Sequence, residues 1–210
     1  MAGHRARPLS ACEACEADTV ADYHQFRGDD AAAVAQIESI LERGLTCAHI
    51  PTNTHASALA PLLRLGRPED AARHAAQSRQ RISGDPDLLW AQAKHLEYLA
   101  LTAPALAVKW YAHHLLWAEQ TKEMGFQQDF HAASALLFKV LGNKAQTVKL
   151  RLPQAAHGYQ ASGEYSVSER LAYHEGEARR IAELFDKRNG SGQQMKNVEG
   201  VLALAELAQA

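Results

Sequence analysis

Leu62-Leu63-Arg64-Leu65-Gly66-Arg67-Pro68-Glu69-Asp70-Ala71-Ala72 is the stretch that sets the reading of the whole chain. It spells the end of one helix, a glycine turn with a proline starter, and the first turn of a second helix. Gly66 suits the left-handed residue that closes a helix, and Pro68 suits the first position of the next. Glu69 and Asp70 place negative charge at the positive end of that second helix. The pattern recurs. Phe26-Arg27-Gly28-Asp29-Asp30-Ala31 carries a glycine 38 residues before Gly66, and a further step of 38 reaches Pro104, then Gly142. Ala33 and Ala71 keep the same interval. Turns at a fixed spacing between apolar helical runs predict stacked helix pairs.

Composition agrees with a helical protein. Alanine and leucine are abundant and β-branched residues scarce, and 210 residues suffice for a continuous core. The formal net charge of −2 supplies no basic face for nucleic acid. No apolar run approaches the roughly 18 residues of a membrane span, and the start lacks the apolar core of a secretory signal. Three cysteines, an odd number, argue against a disulfide scaffold and for a reducing compartment, so a cytoplasmic location is expected.

In order, residues 1–10 read as disordered, 11–152 as helical repeats, 153–166 as an irregular linker and 167–210 as C-terminal helices packing on the array. The first helix, about Cys12 to Phe26, is expected to pack through Val20, Tyr23 and Phe26. Its partner buries Val34, Ile37 and Leu41. The second pair spans about His55 to Leu65 and Pro68 to Ile82. The third, after an Asp85-Pro86 start, carries the stripe Leu89, Ala93, Leu96 and Ala100, with Trp110, Tyr111, His114, Leu115 and Trp117 opposite. The fourth begins near Gln127, and its second helix is expected to be short because of Pro153. Ser166 and Glu169 form a capping box before a helix burying Leu171, His174, Ala178, Ile181 and Phe185. The terminal helix, Val198 to Leu207, has an apolar face that must dock on the array or on a second copy, which makes a homo-oligomer one reading.

The repeats resemble tetratricopeptide repeats. The residues that carry the likeness are Gly28 with Ala33, Gly66 with Ala71, the Leu-Gly-Arg-x-Glu-x-Ala wording, and prolines near the next boundary, Pro51 and Pro86. The family's unit is usually shorter, Leu59 stands where a small residue is usual, and the third turn lacks glycine; HEAT-like pairs are the alternative label. The early cysteine pair and Ile181 to Gly190 also look like a group of bacterial tetratricopeptide-like proteins that would itself supply no function. The resemblance implies an all-α fold, a right-handed superhelix of about four helix-turn-helix repeats with C-terminal capping helices. It also implies a concave groove that binds a protein or peptide. Asp18, Asp22, Gln25, Asn53, Arg64, Lys94, Tyr98, Asp129 and Lys139 are the groove-facing candidates, residues able to hydrogen-bond an extended backbone.

Chemistry is concentrated in the cysteines. Cys12-x-x-Cys15 with Cys47-x-His49 has the residue types and spacing of a zinc site, structural in role, with His49, His55 or His4 as the fourth ligand. Cys12 and Cys47 lie 35 residues apart, so in a 38-residue repeat they fall near the same end of neighbouring helices. A redox pair, or idle thiols, are the other readings; no βαβ pattern supports the redox one. Eleven histidines yield no catalytic motif. His113 and His114 point about 100° apart on a helix, and His174-Glu175 lacks the second histidine of a zinc-protease helix. No nucleophile elbow or phosphate loop is present. The expectation is a non-enzymatic scaffold, with a metal- or redox-responsive regulator as the alternative.

Overall fold

A computed structural model describes residues 12–82 and 84–208 of the chain; the expected disorder of residues 1–10 lies outside them. The described chain is mostly helical, with one short antiparallel hairpin. It divides between Gln80 and Arg81 into two compact units. No described helix is long and apolar enough to cross a membrane.

In the first unit, α1 (Glu13–Phe26) pairs with α2 (Asp30–Glu42), followed by α3 (Thr52–Ser57), α4 (Leu59–Arg64) and α5 (Pro68–Ile82). The glycine turns share one geometry. Gly28, Gly44 and Gly66 all have positive φ, at 74°, 63° and 68°. Each closes its helix with the same paired bonds, for example Gly66 N–H to Leu63 O and Arg67 N–H to Leu62 O. Only glycine adopts this conformation without steric cost, so the Gly66 turn is read correctly from its residue types. Ala33 and Ala71, at equal distance beyond two of these turns, are both fully buried.

α3 and α4 replace the single helix expected from His55 to Leu65. Pro61 has no N–H to offer the Ser57 carbonyl four residues back, and the helix is interrupted at Ala58. A second correction concerns α1. Val20, Tyr23 and Phe26 are 44%, 55% and 62% exposed, and the helix packs instead through Ala14, Ala17 and Ala21. Small residues let the α1 backbone approach α2, whose Val34, Ile37 and Ile40 fill the space. Ala21→Leu is therefore expected to destabilise this unit by about 1–3 kcal/mol through overpacking. Phe26→Ala is expected to stay within about 0.5 kcal/mol of wild type. Equal losses in urea unfolding would mean that the aromatic face is packed after all.

The second unit contains α6 (Leu89–Thr102), α7 (Pro104–Gln120), α8 (Met124–Gly142), β1 (Thr147–Lys149), β2 (Glu164–Ser166), α9 (Val167–Asn189) and α10 (Gln193–Ala203). Asp85 caps the 3₁₀ turn before α6 by accepting from Asp87 N–H at 3.0 Å. α6 packs on α7 and α8, and α8 packs on α9. The expected stripe Leu89, Ala93, Leu96 and Ala100 is buried, as are Phe130, Ala133 and Leu137 of α8. No helix follows directly on Gly142. The chain instead forms β1, a loop and β2, with Val148 opposite Tyr165, and Gly142 ends α8 without a left-handed turn. Pro153 lies in that loop, so the short helix expected here is absent.

Ser166 caps α9 as expected, accepting from Glu169 N–H at 3.3 Å. The buried face of α9 differs from the apolar reading: Leu171 and Phe185 are half-buried, while Arg170 and Asp186 are buried beside His174, Ala178 and Ile181. Asp186 accepts the backbone N–H groups of Gln194 and Met195, both at 2.9 Å, which fixes the start of α10. α10 then docks Val198 and Leu202 onto Ala132, Ala135, Ala178 and Ala182. Val198 and Leu202 of the terminal segment are thus covered within the chain, while Leu207 is 39% exposed.

Candidate functional site

The three cysteines converge in the first unit. Cys12 precedes α1, Cys15 lies in its first turn, and Cys47 comes from the loop after α2. The Sγ atoms of Cys12 and Cys15 are 3.2 Å apart, those of Cys15 and Cys47 3.5 Å, and all three lie within 4.8 Å of one another. Two features build this cluster. The helical turn brings residues three apart to one side, and the Cys47 N–H bonds Ile50 O at 3.1 Å, curling the loop back. Cys15 also packs on Ala14, Ala17, Ile40 and Ile50, so the thiols sit on a small apolar base.

Electrostatics set the cluster's chemistry. The Cys15 N–H at the helix start, and then the neighbouring thiols, favour the Cys12 thiolate and lower its pKa. Hydrogen bonds with the thiols of Cys12 and then Cys47 hold the Cys15 proton in place, pushing its pKa up to about 12, with burial and the neighbouring charges adding to the rise. A cation among the thiols would favour their ionised forms. Tetrahedral zinc, with Zn–S near 2.3 Å, holds sulfurs roughly 3.8 Å apart; the 3.2 and 3.5 Å pairs would each have to open by about 0.3–0.6 Å to take it.

Of the histidines expected as fourth ligand, the two described ones, His49 and His55, are not in the cluster. His49 is exposed and outside the group of ligand atoms, although it is two residues from Cys47. His55 points its Nδ1 at Nδ1 of His74, 3.1 Å away. His4 lies outside the described residues.

The groove candidates divide between the units. In the first, Asp18 accepts from Thr54 at 2.7 Å and Gln25 donates to Ser57 at 2.6 Å, so both tie α1 to α3. Asn53 is half-buried with its Oδ1 unpartnered, and Asp22 is exposed. Arg64 forms a bidentate pair with Asp30 at 2.7 and 2.6 Å. In the second, Lys94 pairs with the buried Glu97 at 2.8 Å and lies 5.9 Å from the Trp90 ring centre. Burial pushes the Asp129 carboxyl up to about 6, against the opposing charge of Lys94. Tyr98 is half-buried beside them in sequence, and Lys139 donates to the Leu202 carbonyl at 3.2 Å.

A second polar cluster in this unit escaped the sequence reading. The buried Arg170 donates to Tyr111 Oη, to His174 Nε2 at 3.4 Å and to His157 O at 3.1 Å. Tyr111 Oη lies 2.8 Å from His174 Nε2, and His174 Nδ1 lies 2.8 Å from His131 Nδ1. Guanidinium only donates, which fixes the direction of the whole chain. Tyr111 accepts from Arg170 and donates its O–H to His174 Nε2. His174 then carries its hydrogen on Nδ1 and donates to His131, whose hydrogen sits on Nε2. Burial keeps both imidazoles neutral, pushing His131 down to about 4 and His174 well below the usual range. The available signal was Arg170, a cation four residues from His174 on the buried side of a helix.

No protein-family model matches the chain, and no curated protein or solved structure shows significant similarity to it.

Proposed function

We propose that the chain is a non-enzymatic helical adaptor of tetratricopeptide type, cytoplasmic, whose first unit is locked by a zinc ion on Cys12, Cys15 and Cys47. The observation that supports it most is the convergence of the three thiols. Zinc displaces the proton that Cys15 otherwise keeps, and it joins the start of α1 to the loop after α2. The fourth position falls to water or to a residue outside the described ones. The role is structural: the ion replaces the large core that two short helices lack.

Metal analysis of the chain purified without a histidine tag tests this. One zinc per chain is expected, with thiols that react only after chelation. Zinc well below one per chain with freely titrating thiols sinks the zinc site. Mass loss of two hydrogens with no metal favours the redox alternative, a Cys12–Cys15 disulfide.

The adaptor role draws its support from α6 and α8, where Lys94, Glu97, Asp129 and Trp90 gather charge and an aromatic ring in one place. Such a mix suits hydrogen bonding to an extended peptide. Lys94→Glu combined with Tyr98→Ala is expected to abolish recovery of at least one partner cross-linked to the wild-type chain in host extract, with the fold unchanged by circular dichroism. Recovery of every partner by the double variant counts against this surface.

A further inference from the structure

Arg170 makes three donor contacts, all to neutral acceptors, and its Nε–H has no hydrogen-bond partner. Arg170 is only 5% exposed and forms no ion pair among the described residues. The Glu119 carboxylate acts on it but is bonded to His157 N–H instead and meets the guanidinium only through space; a buried guanidinium without a directly bonded carboxylate is costly. Three tyrosine rings surround it, Tyr111, Tyr165 and Tyr173, with centres 5.4–5.7 Å from its Cζ. Beside it opens a cavity of about 180 Å³ lined by Tyr165, Tyr173, His157, Gly158 and Glu169.

The elements around Arg170 hold this arrangement open. Gly158 has φ 67°, and a Cβ there would come within 3.2 Å of Arg170 Nη1. His157 stacks on Tyr173 with ring centres 4.2 Å apart, and its N–H is accepted by Glu119, which holds the loop in place. The Tyr165 hydroxyl accepts from Gln160 N–H at 2.9 Å, fixing the far wall.

We propose that this cavity binds a small monocarboxylate, with Arg170 as the cation that recognises it. The charge count selects the class. One guanidinium, hydrogen-bonded only to neutral acceptors and already facing the Glu119 charge through space, has room for at most one further negative charge. Glu169 on the wall opposes a second, which disfavours a phosphate dianion. The rings of Tyr165 and Tyr173 offer surface to a short apolar body. The site is independent of the thiols and of any partner surface on α6 and α8.

Two-dimensional ¹H–¹⁵N spectra of the full chain test this, read at the Arg170 Nε–H and the Gly158 amide, with propionate, propionamide and inorganic phosphate as probes. Propionate is expected to shift both signals to saturation with a dissociation constant on the order of a few millimolar. Propionamide, its neutral counterpart, is expected to leave them in place, and phosphate to bind more weakly. Glu169→Gln, an exposed change that leaves the Arg170 contacts intact, is expected to tighten propionate about threefold by removing a nearby like charge. Absence of saturation with propionate overturns the proposal. So do equal shifts with propionamide, preference for phosphate, or unchanged affinity in Glu169→Gln.

Discussion

Serine at Cys47 is expected to lower the melting temperature of the first unit by roughly 10 °C or more in zinc-replete buffer, and to change little once metal has been stripped from both proteins. A ligand held at about a hundred times its dissociation constant raises the melting point of a small domain by that order. Serine keeps the size of the side chain but cannot supply a thiolate. Cys47 is exposed and packs on nothing large, so the apo proteins should match closely. Hydrogen exchange of the amides in α1 and α2 is the readout, because the three tryptophans all lie in the second unit. Acid should have the same effect as the substitution. Zinc binding displaces the thiol protons, so affinity falls as pH falls, most strongly because Cys15 holds its proton so tightly. A Cys47→Ser variant that is equally destabilised with and without metal would show that the thiol serves packing alone.

The second large effect belongs to the buried chain of Arg170, Tyr111, His174 and His131. Tyr111→Phe removes the acceptor of a buried guanidinium N–H and the donor to His174 Nε2, at a residue with no exposed surface. Two buried polar groups lose a partner, at roughly 1–3 kcal/mol each. Tryptophan fluorescence during urea unfolding measures the loss; a change under about 0.5 kcal/mol would mean that the network contributes nothing. Its pH dependence has a definite sign. Unfolded imidazole titrates near 6.5 and folded His131 near 4, so between these values the unfolded chain binds more protons. Stability is complete above pH 6.5 and declines as the pH falls toward 4, by about 3 kcal/mol from His131. His174 adds to the decline. Glu177 favours a proton on His131, while Arg180, Arg170 and His157 oppose it.

Asp129 acts the other way in the same window. Its folded pKa, about 6, lies above that of an unfolded carboxyl, so its contribution grows as pH falls. Asp129→Asn is therefore expected to steepen the acid loss, and His131→Gln to flatten it. If both variants followed the wild-type curve, the buried imidazoles and the carboxyl would not govern acid stability.

The turns were the most legible part of the chain. Gly28, Gly44 and Gly66 announce themselves because no other residue takes a left-handed closing conformation so readily, and the helices between them follow. The apolar stripe of α6 was legible for the same reason: periodicity maps directly onto burial. α1 was misread because its buried residues are alanines, which carry little hydrophobic weight, while Val20, Tyr23 and Phe26 carry more and lie outside. The thiol trio was readable from spacing, since Cys12 and Cys15 share a helical turn. His49 was drawn into it by proximity in sequence alone, and the loop takes it elsewhere. The Arg170 chain was hidden because its members come from three helices, α7, α8 and α9, and each residue on its own resembles a core aromatic, a core histidine or a surface cation. The hairpin after Gly142 was hidden because its strands are three residues each, too short for any period to show.

X-ray absorption at the zinc edge of the purified chain bears most directly on the proposed zinc site. Three sulfur scatterers at about 2.3 Å with one oxygen or nitrogen at about 2.0–2.1 Å are expected. A first shell of oxygen and nitrogen alone, or a single sulfur, would contradict the assignment of Cys12, Cys15 and Cys47 as the ligands.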